Sequence, residues 1–139
     1  MPARRQFVPV GDWSDPRQIR GLAGERAAMG YLISCGWNIE AHRFRLGRHD
    51  VDLVARRGAV VAFIEVKTRR SVVCGTALEA VSRPKQRSIA KAAELWRLRF
   101  GRPADLYRFD VVALSEAETG RFDIEHVADA WRLLREPQR

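Results

Sequence analysis

Val60-Val61-Ala62-Phe63-Ile64-Glu65-Val66-Lys67-Thr68 is the stretch whose reading decides the fold. Its β-branched and aromatic residues, with Gly58 before and Arg69-Arg70 after, read as a strand. Side chains alternate along a strand, so Val61, Phe63, Glu65 and Lys67 share one face and Ala62, Ile64, Val66 and Thr68 the other. A carboxylate and an ammonium in so apolar a strand are costly to bury unless paired or bound to an ion.

The preceding Asp50-Val51-Asp52-Leu53-Val54-Ala55 is a second strand that also carries acids on one parity. Arg57-Gly58-Ala59 separates the two, and a Gly58-Ala59 turn with glycine first is type II′. Arg57 then faces Val60, Leu53 faces Ile64 and Asp52 faces Glu65, with opposed Cβ atoms roughly 4.5–5.5 Å apart. A slip of two residues would put Asp50 opposite Glu65 instead. Either register leaves an acid pair beside Lys67. Two such carboxylates repel unless a cation joins them, which suits Mg²⁺, a hard ion that keeps several waters.

The full chain has 139 residues, the size of one domain. It is 46% hydrophobic, enough for a core, and carries a net charge of +8 with a pI near 10.7. That balance favours a polyanion partner, nucleic acid before membrane. Cys35 and Cys74 form no CxxC pair, which argues against zinc; two thiols in a reducing cytosol is the simpler reading. No stretch reaches the apolar length of a membrane span and no apolar signal segment follows Arg4-Arg5, so a cytoplasmic protein is expected.

Residues 1–17, with Pro2, Pro9 and Pro16 among basic residues, read as a flexible basic extension, and residues 18–139 as the single domain. Ile19 to about Cys35 is expected to be helical, with Leu22, Ala28, Met29, Leu32 and Ile33 apolar, Glu25 bordering the buried face and Gly36 as the stop. Trp37 to Arg45 alternates as a strand with one wet face, Asn38, Glu40 and His42. His49 follows in a turn, where a solvated bystander is commoner than a ligand.

Arg69 to Val81 reads as a loop with Gly75, in which Arg69 and Arg70 could hold phosphates. Ser82 caps a second helix that runs to about Phe100, with Ile89, Ala92, Ala93, Trp96 and Phe100 as its buried stripe. Lys85 lies on that stripe one turn earlier and points toward the sheet. Leu106 to Leu114 is a further strand, reached through a helix and therefore parallel to its predecessor; its Asp110 needs a partner, and Arg108 shares its face. Phe122 to Val127 is a last short strand.

A lone Glu-x-Lys is a weak signal. Placed on a central strand, with twelve residues between it and Asp52 on the neighbouring strand and with Glu25 on the first helix, it is more specific. This D-x12-ExK pattern resembles the PD-(D/E)xK, restriction-endonuclease-like nucleases. The chain is more closely similar to the YraN family of small bacterial proteins. That resemblance rests on Gly24-Glu25-Arg26-Ala27-Ala28, Asp50-Val51-Asp52-Leu53-Val54-Ala55, Phe63-Ile64-Glu65-Val66-Lys67-Thr68-Arg69, Gly75, Ala80-Val81 with Lys85, and Arg108-Phe109-Asp110-Val111-Val112, over roughly residues 19–131. His49-Asp50 stands where the family usually has Gly-Glu.

The resemblance implies an α/β fold, a restriction-endonuclease-like αβββαβ core with a mixed central sheet flanked by helices, related to junction resolvases. It implies a Mg²⁺- or Mn²⁺-dependent endonuclease acting on DNA ahead of RNA, with branched or damaged DNA as candidate substrates. Asp52, Glu65, the Val66 carbonyl and Glu25 would hold the metal, Asp52, Glu65, Lys67 and Glu25 would form the catalytic set, and Lys85, Arg69 and Arg70 would contact nucleic acid. The dimeric state of junction resolvases leaves a homodimer open. The alternatives are a non-catalytic nucleic-acid-binding protein on a nuclease-like scaffold and a purely structural buried salt-bridge network.

Overall fold

The computed structural model describes residues 16–69, 81–116 and 120–132. Helix α1 spans Pro16–Ser34, followed by β1 Asn38–Leu46, β2 His49–Arg57, β3 Val60–Arg69, α2 Arg83–Phe100, β4 Leu106–Glu116 and β5 Phe122–Trp131. The five strands form one sheet in sequence order. The β1–β2, β2–β3 and β4–β5 pairs are antiparallel and β3–β4 is parallel, so the sheet is mixed, as expected.

Each turn follows from local chemistry. Helix α1 closes in a Schellman arrangement: Gly36, at φ +89, donates to the Ile33 carbonyl and Trp37 donates to Leu32. Between β2 and β3, Gly58 takes φ +61 while Ala59 stays out of the left-handed region, the pattern of a type II′ turn. The register that follows pairs Arg57 with Val60 and continues to Leu53 with Ile64, as the turn dictates. At α2, the Ser82 hydroxyl accepts from the Lys85 amide at 3.3 Å and Pro84 stands in the first turn, where its missing N–H costs nothing.

The alternation of β3 divides the core. Val61 and Phe63 pack with Ile89, Ala92, Ala93 and Trp96 of α2. Ala62 and Ile64 pack with Ala28 and Leu32 of α1. The two helices therefore cover opposite faces. Among the described residues, no helix is long and apolar enough to cross a membrane.

Several expectations need correction. Helix α1 begins at Pro16, inside the expected extension. Ile33 is exposed, because Ala28 and Leu32 already fill the contact with the sheet. Phe100 is also exposed: at the last position of α2 its ring rests against Phe44 and Trp96 and stays open to solvent. Strand β5 runs on to Trp131, which stacks on Phe109 at 4.0 Å between centroids. Strand β1 does not keep one wet face. It bulges between Ile39 and Ala41 and places Arg43 at φ +56, so its half-buried residues are Ile39 and Ala41 before that point and Phe44 and Leu46 after it. Arg70, Cys74 and Gly75 lie outside the described residues.

Candidate metal and phosphate site

The site is built where two strands part. Backbone pairing of β2 with β3 is registered as far as Leu53–Ile64. One step further, the Asp52 carboxylate accepts the Val66 amide at 2.8 Å. A side chain thus takes over a main-chain hydrogen bond, and the fork this opens is lined by Asp52 from β2 and by Glu65 and Lys67 from β3. Beyond the last registered pair, Asp52 and Glu65 lie close enough for the Glu65 carboxylate to act on Asp52.

Glu65 is buried, with its Oε1 3.4 Å from Lys67 Nζ. Its Oε2 is buried without any hydrogen-bond partner. A buried oxygen of this kind is costly, about 1–3 kcal/mol and more for a charged group, so the fork is prepared for something that binds oxygen. Burial, and next the neighbouring Glu65 carboxylate, push Asp52 up to about 8; the Val66 amide works in the opposite direction, and Glu25 adds to the rise. At neutral pH the fork therefore keeps a proton that an ordinary aspartate would have lost.

Lys85 reaches the fork from the first turn of α2, its Nζ 3.5 Å from Asp50 Oδ1. Burial opposes its charge, but Glu65, Asp50 and Asp52 together outweigh burial and raise its pKa. Asp50, at the start of β2, is thus a partner of Lys85. His49 lies beside the Ser88 hydroxyl at 3.4 Å.

Glu25 approaches from the opposite face, on α1. It is buried, and its Oε2 meets His42 Nε2 at 2.7 Å and Arg43 Nε at 2.8 Å. These contacts depend on the left-handed Arg43, which breaks the alternation of β1 and lets two successive residues reach one carboxylate. Helix α1 comes this close because residue 24 is glycine. A Cβ there would lie 2.0 Å from the Thr68 hydroxyl oxygen on β3.

The sequence missed His42 and Arg43. A signal was present: apolar residues fall at Ile39 and Ala41 and then at Phe44 and Leu46, a slip of one in the period of two. Arg69 ends β3 beyond Lys67, and Arg70 falls outside the described residues.

Among the described residues no group of three or more His, Cys, Asp and Glu side chains converges as a metal cage. What the fork offers is two carboxylates, one with an unmatched oxygen. That donor set suits a hard divalent cation which retains most of its water, such as Mg²⁺ or Mn²⁺, and does not suit a closed zinc site.

A model of the family described as uncharacterised protein family UPF0102 matches residues 24–114. A UPF0102 protein of Geobacter sulfurreducens is 40% identical over 126 residues, covering 91% of this chain and 98% of that protein. One from Chlorobium phaeobacteroides is 37% identical over 124 residues, covering 86% and 97%. A third, from Symbiobacterium thermophilum, is 40% identical over 111 residues, covering 80% and 94%. The matched segment contains the glycine contact of α1, the fork and the first turn of α2.

Proposed function

This chain belongs to the uncharacterised protein family UPF0102, and we propose that it is a divalent-metal-dependent nuclease that hydrolyses phosphodiester bonds in DNA, branched or damaged DNA included. The observation that carries this reading is the unmatched, buried Glu65 Oε2 beside the proton-retaining Asp52, with two lysines at the rim. A structural salt bridge would use both oxygens of its buried carboxylate.

Asp52 and Glu65, with the Val66 carbonyl, are the residues that would hold Mg²⁺ or Mn²⁺. When bound, such an ion polarises phosphoryl oxygen and lowers the pKa of coordinated water. Lys67, anchored by Glu65, faces the same space and orients the attacking water or neutralises charge that develops on the phosphoryl group. Lys85 presents a cation at the start of α2, where the helix dipole also favours a phosphate. Glu25 serves the site at one remove: tied to His42 and Arg43, it fixes the α1 wall and adds negative potential at Asp52. Arg69 lies where the outgoing strand would meet backbone phosphates, and Arg70 follows it in sequence.

The deciding experiment combines calorimetry and cleavage. Mn²⁺ titration should give heat that is lost in Asp52→Asn. Plasmid, single-stranded or junction DNA should be cut with Mg²⁺ or Mn²⁺, and not by folded Glu65→Gln or Lys67→Ala protein. Cleavage that persists in both variants would assign the activity elsewhere and end this reading.

A second reading is favoured by one observation, the capture of Glu25 by His42 and Arg43, which withdraws an acid from the ligand set. It is a nucleic-acid-binding protein without catalysis. It predicts salt-sensitive DNA or RNA binding and no Asp52-dependent heat with Mn²⁺.

A further inference from the structure

Away from the fork, a cavity of about 320 Å³ opens between the edge strand β1 and the C-terminal half of α2. That volume is at the lower end of the range that holds small planar ligands, about 300–1,000 Å³. Its lining includes Phe44, Trp96 and Phe100 together with Arg56, Arg102 and Glu40. The three rings form one continuous wall. Phe100 stands edge-on to Phe44, with centroids 6.3 Å apart, and is tilted against Trp96 at 5.8 Å.

The polar side is equally ordered. Arg56 is buried, its Nε donating to Glu40 at 2.7 Å and its terminal nitrogens to both Asp105 oxygens. These bonds hold the guanidinium in place at the cavity wall. Glu40 sits in the β1 bulge, which re-aims its side chain, and spends one oxygen on Arg56. The other has no partner among the described residues. The Arg102 side chain is exposed and makes no ion pair among the described residues.

A slot with an aromatic wall, a fixed guanidinium, a spare acceptor and a free cation at the mouth fits one chemical class: a nucleobase with its attached phosphate. Bases stack on aromatic rings and on arginine planes whatever their identity, the Glu40 oxygen can accept from a base amino group, and Arg102 suits the phosphate. The geometry points to an unpaired-base site, in which one base of the DNA, extruded or already single-stranded, is held between Phe100 and Arg56 while the backbone runs on to the fork. Trp96 and Lys85 lie on one helix, about 16 Å apart along its axis, so a few nucleotides of unstacked strand connect them. This inference rests on the reading that nucleic acid is the substrate, and it narrows that substrate to DNA with single-stranded character.

The test uses the full chain in chelator-containing buffer, with a short single-stranded oligonucleotide carrying 2-aminopurine and the same sequence as a duplex. Stacking should quench the probe in the single strand, and the single strand should bind more tightly than the duplex. Phe100→Ala and Arg102→Ala, both at exposed positions, should each weaken single-strand binding about five-fold or more, the low end for one base–aromatic stack. Both should keep the Mn²⁺ heat of the wild type. Asp52→Asn should show the opposite pattern, losing the metal and keeping the oligonucleotide, so failure of the fork and failure of the slot are told apart. Wild-type affinity in both Phe100→Ala and Arg102→Ala, or a duplex bound as tightly as the single strand, overturns the proposal.

Discussion

Replacing Asp52 by Asn should make the metal-free protein more stable as pH rises. Asp52 is raised from 3.8 to about 8 by burial and by Glu65. The folded state therefore binds this proton more tightly than the unfolded chain does. Between those two values the native protein carries more protons, so stability falls with increasing pH. The contribution is fully present below the unfolded value and is lost as pH climbs through about 8. A shift of about four units at about 1.4 kcal/mol each sets a ceiling of about 5–6 kcal/mol. Asp52 is mostly buried, and relaxation with water penetration around a buried charge brings this down to about 2–3 kcal/mol. Asparagine keeps an oxygen for the Val66 amide and can donate to Glu65, so it imitates the protonated acid. In a domain of this size the variant should melt roughly 8–12 °C above wild type at pH 8 and within a few degrees of it at pH 4.5. Thermal melts of both proteins across that range, with chelator, measure the difference, and groups common to both cancel. Adding Mn²⁺ at pH 8 should raise the wild-type midpoint and leave the variant unmoved. A wild-type-minus-variant difference that stays flat from pH 4.5 to 8.5 would refute the claim that these carboxyls crowd one another.

Two further substitutions separate architecture from chemistry. Gly24→Ala should destabilise the protein by about 1–3 kcal/mol, since its Cβ would meet the Thr68 hydroxyl at 2.0 Å; adding Thr68→Ala should recover much of the loss in a denaturant double-mutant cycle. Asp110→Ala should cost about 3–5 kcal/mol in urea unfolding, because Asp110 is fully buried between Arg108, His126 and the Asp129 amide; its Mn²⁺ heat should match that of the wild type.

The middle of the chain was legible because its signals are local and mutually consistent. Gly58-Ala59 sets the turn, the turn sets the register, and the register brings Asp52 to Glu65. Lys85 could be placed because a capped helix start fixes which way its first turn faces. The ends of the apolar stripes were less legible. Ile33 and Phe100 continue the helical period but lie outside the arc of the helix that the sheet covers, and period alone does not say how wide that arc is. His42 and Arg43 were missed for another reason. A strand that changes phase at a left-handed arginine violates the rule used to read it, and such exceptions concentrate where side chains must converge. Glu25 was then assigned to a metal on the strength of its acid, while the partners that hold it came from the irregular strand.

Charge around the fork carries one more consequence. Four acids, Glu25, Asp50, Asp52 and Glu65, meet three permanent cations, Arg43, Lys67 and Lys85. With Asp52 protonated the set is balanced, and burial first and Glu65 next keep that proton in place. A divalent ion entering between Asp52 and Glu65 must displace it, since a metal ligand binds as the carboxylate. The exchange removes one positive charge and adds two, so the loaded fork becomes net positive and attracts a phosphate that the empty one does not. Metal uptake should therefore release about 0.9 proton per chain at pH 7 and almost none at pH 9.5, given a group that titrates near 8. Titrating Mn²⁺ in two buffers of different ionisation enthalpy measures that number directly. Release that does not diminish between pH 7 and pH 9.5 would mean that the displaced proton is not the one on Asp52.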